Sequence, residues 1–501
     1  MAAMARPLHL LVALHLTAAA PAALQIAVDC ATSSLHAARD SLRASFAEFD
    51  SAGAARPRAR VRVTGPCHLT ETLSFDARDS GDVEWVSSGA GPFLVTGGAP
   101  VAASSFEPVT DASILAQLPA AVRAAVRQLN LTALALPAGP APFAGRECRQ
   151  YAEGLPQPHA GSMPSAEVNS PTGLELFAAT AGGGAAPLVL ARWPNNPWLP
   201  SNWSRVLHSA PPTDRTCGPD LVTLARGESW AQQFAQDPGS IYVHQYNRVG
   251  WADMHWRVTG LTKENITFGG CGNMSVGEHV LETGNYFYPY NLLAELDEEN
   301  EYYVNRTSNM LYAWLPQGSV PDANGTLAWA SLLETPILEL NGTAGAQWVG
   351  ASFQFGRGAG IVCNNCSSVS FLGCAVANVG LMAANVSDGS NVRLDNLSVT
   401  GTGNGGVYFY AGDRITLTPA NHSLVNSVIT AYNRYTHCYT PGVVLGGVGN
   451  VVSGTRIFNA PHNAIFLSGN EHTIEGCDIS AVTRIVSDSG AFYFGRDLTC
   501  G

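Results

Sequence analysis

The chain has 501 residues and a formal net charge of −12; lysines are scarce, and ARPRARVRV at 55–63 is a short basic stretch. That balance argues against nucleic acid as a partner, because phosphate binding needs basic patches. Charged residues make up only 13%, while 51 glycines and 30 prolines favour turns over helix-rich classes.

The opening MAAMARPLHLLVALHLTAAAPAALQ carries Arg6, an apolar stretch from Leu8 to about Ala20, and then small residues. Residues 1–22 are read as a secretory signal peptide, too short in its apolar run for a membrane span. The expected location is extracellular, with no membrane partner. The 11 cysteines suit disulfides in an oxidising compartment, and their odd number leaves at least one unpaired within the chain. Eleven Asn-x-Ser/Thr triplets, from Asn130 to Asn421, point the same way. Cys363, Cys366 and Cys374 lack a histidine or second Cys-x-x-Cys at zinc spacing, so no metal is expected. No cofactor is expected either, and the chain is read as a monomer.

Residues 23–100 begin with SSLHAARDSLRASFAEF, where Leu35, Ala38, Leu42 and Phe46 recur at helical spacing and Ser33 or Ser34 can cap the start. Short alternating strands follow: VRVTG, TLSFD, DVEWV and PFLVTGG. Residues 101–345 change texture and are read as an inserted β-rich region covering one flank. A helical piece is expected in DASILAQLPAAVRAAVRQL, followed by strands such as SIYVHQYNRVGWADMHWRVTGL and YFYPYNLLAELDEENEYYVNR.

From 346 to 501 a repeat sets the fold. The segments FLGCAV, LDNLSV, LVNSVI, VSGTRI and IEGCDI align. One apolar column is Phe371, Leu394, Leu424, Val452 and Ile474. A second is Val376, Val399, Ile429, Ile457 and Ile479. Between them stand Gly373, Asn396, Asn426, Gly454 and Gly476, residue types that tolerate a left-handed backbone. Strands this short bury nothing alone, but stacking coil on coil buries an inward column. The fold class is therefore all-β: a parallel β-helix solenoid with an N-terminal helix and strand cap and an inserted β-rich region. A β-sandwich is the competing reading.

The segments APHNAIFLSGNEHTIEGCDIS and DSGAFYFGRD resemble the right-handed parallel β-helix proteins of the pectin-lyase-like superfamily, and among them the secreted β-helix glycoside hydrolases. The matching positions run from Pro461 and His462 through Gly469, Asn470, His472 and Glu475 to Asp488, Tyr493, Arg496 and Asp497. Upstream, AARDSLRA, ARWPN and AGDRITL continue it in order. Departures are Gly476 and Cys477, and the ending DLTCG where such proteins continue into further coils, so a fragment or a shorter relative is expected.

The resemblance implies a polysaccharide or glycan partner lying in a groove on the solenoid flank. Glycoside hydrolysis needs two carboxyl groups, about 5 Å apart for retention and roughly 6.5–9.5 Å for inversion. The candidate carboxylates are Asp488 first, then Asp497, Glu475 and Asp413. His462, Tyr493, Arg496 and Asn470 are candidate substrate contacts. Setting Ala464 over Ala491 would put His462 and Asp488 close together on one outer face. Two alternatives stay open. One is a polysaccharide lyase or epimerase of the same superfamily, which abstracts a proton beside a uronate carboxylate. The other is a wall or matrix protein that binds glycan without turnover.

Overall fold

The computed structural model describes residues 23–136, 173–195, 204–205, 215–217, 221–246, 250, 253–268 and 286–494. Three parallel sheets run the length of a rod, each taking one strand from every coil. The first sheet passes from Leu24–Asp29 through Ala59–Thr64, Val83–Ser87 and Ala346–Val349 to Thr473–Glu475. The second begins at Cys67–His68 and ends at Asp478–Ser480, and the third runs from Leu73–Phe75 to Phe492–Tyr493. This is a parallel β-helix.

The apolar columns stack in register. Phe371 pairs with Leu394, Leu394 with Leu424, Leu424 with Val452, and Val452 with Ile474. The second column, Val376 to Ile479, is equally continuous. Upstream the first column extends through Trp348, Trp85 and Val61 to Ile26. Trp85 and Trp348 lie face to face, 5.1 Å apart and 8° from parallel. Every member of the Gly/Asn column has a positive φ, from 52° at Asn426 to 60° at Gly373 and Gly476. The corner between the first two sheets needs one left-handed residue per coil, and only Gly and Asn supply it at little cost.

The helix Leu35–Ser51 caps the rod's first coils. Ser34 Oγ accepts from the Ala37 amide, and the buried face is Leu35, Ala38, Leu42 and Phe46. Arg43 grips Asp79 through two hydrogen bonds of 2.7 and 2.6 Å. A disulfide joins Cys30 to Cys67. Cys363, Cys366, Cys374, Cys438 and Cys477 are free thiols.

The rod breaks off after Phe93–Thr96 and resumes at Leu338–Asn341, which pairs with Leu73–Phe75 below and Ile361–Asn364 above. The chain between forms mainly antiparallel sheets, with one parallel pair of Val189–Leu190 on Glu301–Asn305. Gly98–Ala102 pairs with Thr326–Ser331, which pairs with Leu176–Ala179. Farther out, Tyr242–Tyr246 lies between Asp253–Leu261 and Tyr286–Tyr290. The helix expected over 111–129 is shorter, Ala112–Gln117, with Arg127–Asn130 a strand. Pro119 accounts for the stop, because the residue before a proline is driven out of the α region. A helix at Leu221–Gln236, which the sequence reading passed over, backs the outer sheet through Trp230.

Candidate functional site

The Ala464–Ala491 alignment is the register found, with Ile465 opposite Phe492 and Phe466 opposite Tyr493. Asp488 is exposed in a left-handed turn (φ 52°) on the loop before that strand. His462 does not share its face. It is 1% exposed, because the loop after Val428–Thr430 folds over it: the Tyr439 amide donates to His462 Nδ1 at 3.3 Å and the two rings lie 5.2 Å apart. Burial pushes its pKa down to about 4. Tyr493 stacks on Phe466 and meets Tyr439 edge-on.

Asp413 opens an exposed turn, accepting from the Ile415 amide and Thr416 Oγ1 at 2.8 Å each, which holds its carboxyl below the usual range. Asn470 accepts from Arg414 Nε at 3.1 Å, joining the AGDR and GNEH segments. Glu475 is exposed on the end strand of the first sheet, near Ser453 Oγ. Asp488 thus lies before the third-sheet strands begin, and Asp413 and Asn470 lie beyond their ends. The paired stretch Val407–Ala411 between those levels spans roughly 13 Å at 3.3 Å per residue. That exceeds the span of a catalytic carboxyl pair, about 6.5–9.5 Å at most. Asp497 and Arg496 fall outside the described residues.

What the structure does bring together is a cavity of about 520 Å³ between the insert and the rod. Its rod side is built from the corner loops that follow successive second-sheet strands: Asn378, Thr400–Gly401, Ala431–His437, Asn459 and Ile485. Its insert side is Ala185–Leu190, Arg192, His255, Tyr288 and Tyr290.

The insert contributes through strand alternation. Tyr242, His244 and Tyr246 share one face with Asp253, His255 and Arg257, and with Tyr286, Tyr288 and Tyr290. Val243, Trp256, Val258 and Phe287, on the opposite face, pack with Trp230. One side of this sheet is therefore an ordinary apolar core, and the other is a row of tyrosines and histidines pressed against the rod. Y-x-H-x-Y, D-x-H-x-R and Y-x-Y-x-Y are visible in the sequence. Read only as strands of a covering layer, they were passed over as chemistry.

These groups form a connected network. Asp253 Oδ2 lies 2.8 Å from His244 Nε2, and His244 Nδ1 lies 2.8 Å from the Tyr288 hydroxyl. With a carboxylate on Nε2, that nitrogen carries the proton and Nδ1 accepts from Tyr288. Asp253 also accepts from the rod, from the amides of His437 at 2.8 Å and Cys438 at 3.1 Å. The Tyr246 hydroxyl bonds His437 Nδ1. His255 bridges the Tyr290 hydroxyl and the Tyr435 carbonyl, both at 3.1 Å.

Burial dominates the electrostatics. It depresses His244 and His437 to about 3 and His255 well below its usual value, so all three imidazoles are neutral. It also raises Tyr288 to about 12, against the pull of Arg192, whose guanidinium sits 5.6 Å from the Tyr288 ring centre. His244, Asp253 and His437 place three ligand-type atoms within 4.8 Å of one another. Direct contact at 2.8 Å is tighter than the roughly 3.3 Å between ligands of a tetrahedral ion, and the two backbone amides also hold Asp253. Hydrogen bonding holds the cluster together.

Beside this lies a second buried group. Glu175 accepts from Arg434 Nη1 and the Tyr435 hydroxyl, both at 2.6 Å. It positions the loop that carries His437.

No protein-family model matches the chain, and no curated protein sequence does. Among solved structures it is similar to one described as a glycoside hydrolase, at 10% identity and a TM-score of 0.49, over 93% of this chain and 97% of that one. It is also similar to XylC, solved in complex with xylose, at 8% identity and a TM-score of 0.40, over 86% of this chain and 59% of that one. A third is the tailspike protein gp49 from Pseudomonas phage LKA1, at 11% identity and a TM-score of 0.20, over 88% and 56%. The chain, by its own sheet topology, is a parallel β-helix protein carrying a β-rich insert.

Proposed function

We propose that the chain is a carbohydrate-active enzyme, that its saccharide occupies the cavity between insert and rod, and that Tyr288 is the group that moves a proton there. The observation that carries this reading is the relay Asp253–His244–Tyr288, two 2.8 Å hydrogen bonds ending at the cavity wall. Burial keeps the Tyr288 hydroxyl and the His244 imidazole neutral at rest, so the hydroxyl proton moves to His244 Nδ1 only as the hydroxyl oxygen takes a proton from the sugar, with Asp253 stabilising the imidazolium that forms. This is the logic by which an oriented imidazole activates a hydroxyl in a catalytic triad. The proton comes from the carbon beside a carboxylate of the sugar, the electron pair left there expels the glycosidic oxygen, and Tyr288 protonates that departing oxygen while recovering its own proton from His244. The bond breaks by elimination, leaving an unsaturated end on one fragment and a hydroxyl on the other, with no water consumed. The apolar strip Ala185–Leu190 and the tyrosine rings suit a sugar face, and Asn378 and Asn459 offer polar partners.

Carboxylate hydrolysis is the second reading. It needs two carboxyl groups facing the sugar, and none is among the described residues lining the cavity. What favours it is Asp488 near the seam: Ile485 lines the cavity and the Ser487 amide donates to the Gly250 carbonyl of the insert. Turnover in ¹⁸O-labelled water separates the two. Elimination gives an unsaturated product without label, and hydrolysis gives a labelled reducing end with no unsaturation.

A further inference from the structure

Asn324, Gly325 and Thr326 form an Asn-x-Thr triplet on a turn of the insert. Asp322 Oδ1 accepts from the Asn324 and Thr326 amides at 2.8 and 2.9 Å, and the Asp322 amide donates to the Thr326 carbonyl at 2.9 Å. These bonds fix the turn through its backbone alone. The Asn324 side chain is exposed and makes no hydrogen bond with the described residues. It lines a second cavity of about 630 Å³, beside the point where the rod gives way to the insert, which shares no lining residue with the cavity at Tyr288. The rod side of this groove carries Pro66, His68 and Pro92, and the insert side Pro100 and Trp329. His68 and the three prolines are exposed. The His68 ring stacks on Trp329, 5.7 Å away and 20° from parallel, and Trp329 stacks on Phe355 at 4.9 Å and 10°. A braced stack of rings among prolines thus presents apolar faces to water next to a free amide of the acceptor type. Such faces suit the C–H face of a pyranose.

We propose that Asn324 carries an N-linked glycan whose inner N-acetylglucosamine units lie in this groove, against the His68 ring. The bond forms between Asn324 Nδ2 and the anomeric carbon of a lipid-pyrophosphate oligosaccharide, the donor class of a secretory pathway. The lipid pyrophosphate leaves with the electron pair of the broken C–O bond, and Nδ2 gives up one proton. Because the sugar is tethered at the groove's edge, weak contacts suffice to fill it. The seated glycan bridges the insert strand Thr326–Ser331 to the rod strands Cys67–His68 and Phe93–Thr96. Asn385, also in a triplet, is the converse case. It is 4% exposed in the strand Ala384–Ser387, in register between Val362 and Tyr408, and has no room for a sugar.

The test is to secrete the full chain from eukaryotic cells, map its glycopeptides by mass, and follow glycan release by peptide-N-glycosidase from native and denatured protein. The expected result is a glycan at Asn324 and none at Asn385, with release from Asn324 at least about tenfold slower in the native protein than in the denatured one. His68→Ala removes the exposed ring and leaves the cavity at Tyr288 untouched. It should restore fast release from native protein, with thermal melts confirming that the variant is folded. A bare Asn324, a glycan there that leaves native protein as fast as denatured, or resistance unchanged in folded His68→Ala overturns the inference. Glycan at other triplets then keeps the secretory reading of residues 1–22 standing, whereas no glycan at any triplet overturns both.

Discussion

Glu175 of the insert and Arg434 of the rod stand 259 residues apart in the chain and meet in a 2.6 Å ion pair, with Glu175 buried and Arg434 nearly so. The Arg434 guanidinium also donates to the Gly401 carbonyl at 2.7 Å and lies over the Phe177 and Tyr435 rings. The cavity exists only while these two parts of the molecule are held together.

Removing one partner leaves the other charge buried without compensation, which costs about 3–5 kcal/mol. Arg434→Ala should therefore lower the unfolding midpoint in urea and loosen the insert from the rod. Limited proteolysis should cut the insert faster than in the parent protein. A variant of unchanged midpoint and unchanged cleavage would mean that the pair does not hold the two parts together.

Acid should unfold the protein early. His244 and His437 are depressed to about 3 and His422 and His462 to about 4, all by burial. An unfolded histidine titrates near 6.5. Between 6.5 and the folded value the unfolded state binds more protons, so stability is full above about pH 6.5 and falls as pH drops toward 4. Each group contributes about 1.4 kcal/mol per pH unit at most. Glu301, raised to about 8 by burial, opposes this with the same slope between its unfolded value near 4.5 and about 8, where the folded state holds the extra proton, and four histidines outweigh it. Melts across pH 7 to 4.5 should show Tm falling steeply below 6.5; a flat profile would contradict the neutral histidines.

The corner column makes a backbone prediction. Asn426 sits at φ 52°, where a β-branched side chain is strained by roughly 1–2 kcal/mol. Asn426→Val should lower stability by that amount. Asn426→Gly should be close to neutral, losing only an exposed bond to Asp395. Equal effects of the two substitutions in denaturant titrations would remove the left-handed requirement as the reason for the column.

The rod was legible because its physics is periodic. Phe371, Leu394, Leu424, Val452 and Ile474 face inward in one file, and the turn residues between the columns repeat with them. Leu35, Ala38, Leu42 and Phe46 were legible for the same reason. The cavity was not, because it is made by contact between distant segments. His437 looks like an unremarkable loop residue until Tyr246 and the backbone seat of Asp253 are set against it. Asp488, Asp413 and Glu475 drew attention through a motif; strand direction puts Asp413 at the opposite end of the third-sheet strands from Asp488, and Glu475 stands on the first sheet. His462, expected on an outer face, is covered by a loop whose path no local pattern indicates.

Asp253 fixes the tautomer of His244. Asp253→Asn puts an amide opposite Nε2 and allows the proton to move to Nδ1, where it meets the Tyr288 hydroxyl and blocks transfer. Turnover should fall on the order of a hundredfold or more while saccharide affinity changes little. A loss of affinity with turnover of the bound sugar unchanged would make Asp253 a structural residue only.

The most direct test of the account is Tyr288→Phe, which removes one oxygen from the cavity wall and keeps the ring under Arg192. Single-turnover rate and equilibrium binding should be measured on the same saccharide. The account predicts binding within a few-fold of the parent and a rate about 10²–10⁴-fold lower. A folded Tyr288→Phe protein that turns over at the parent rate would contradict it.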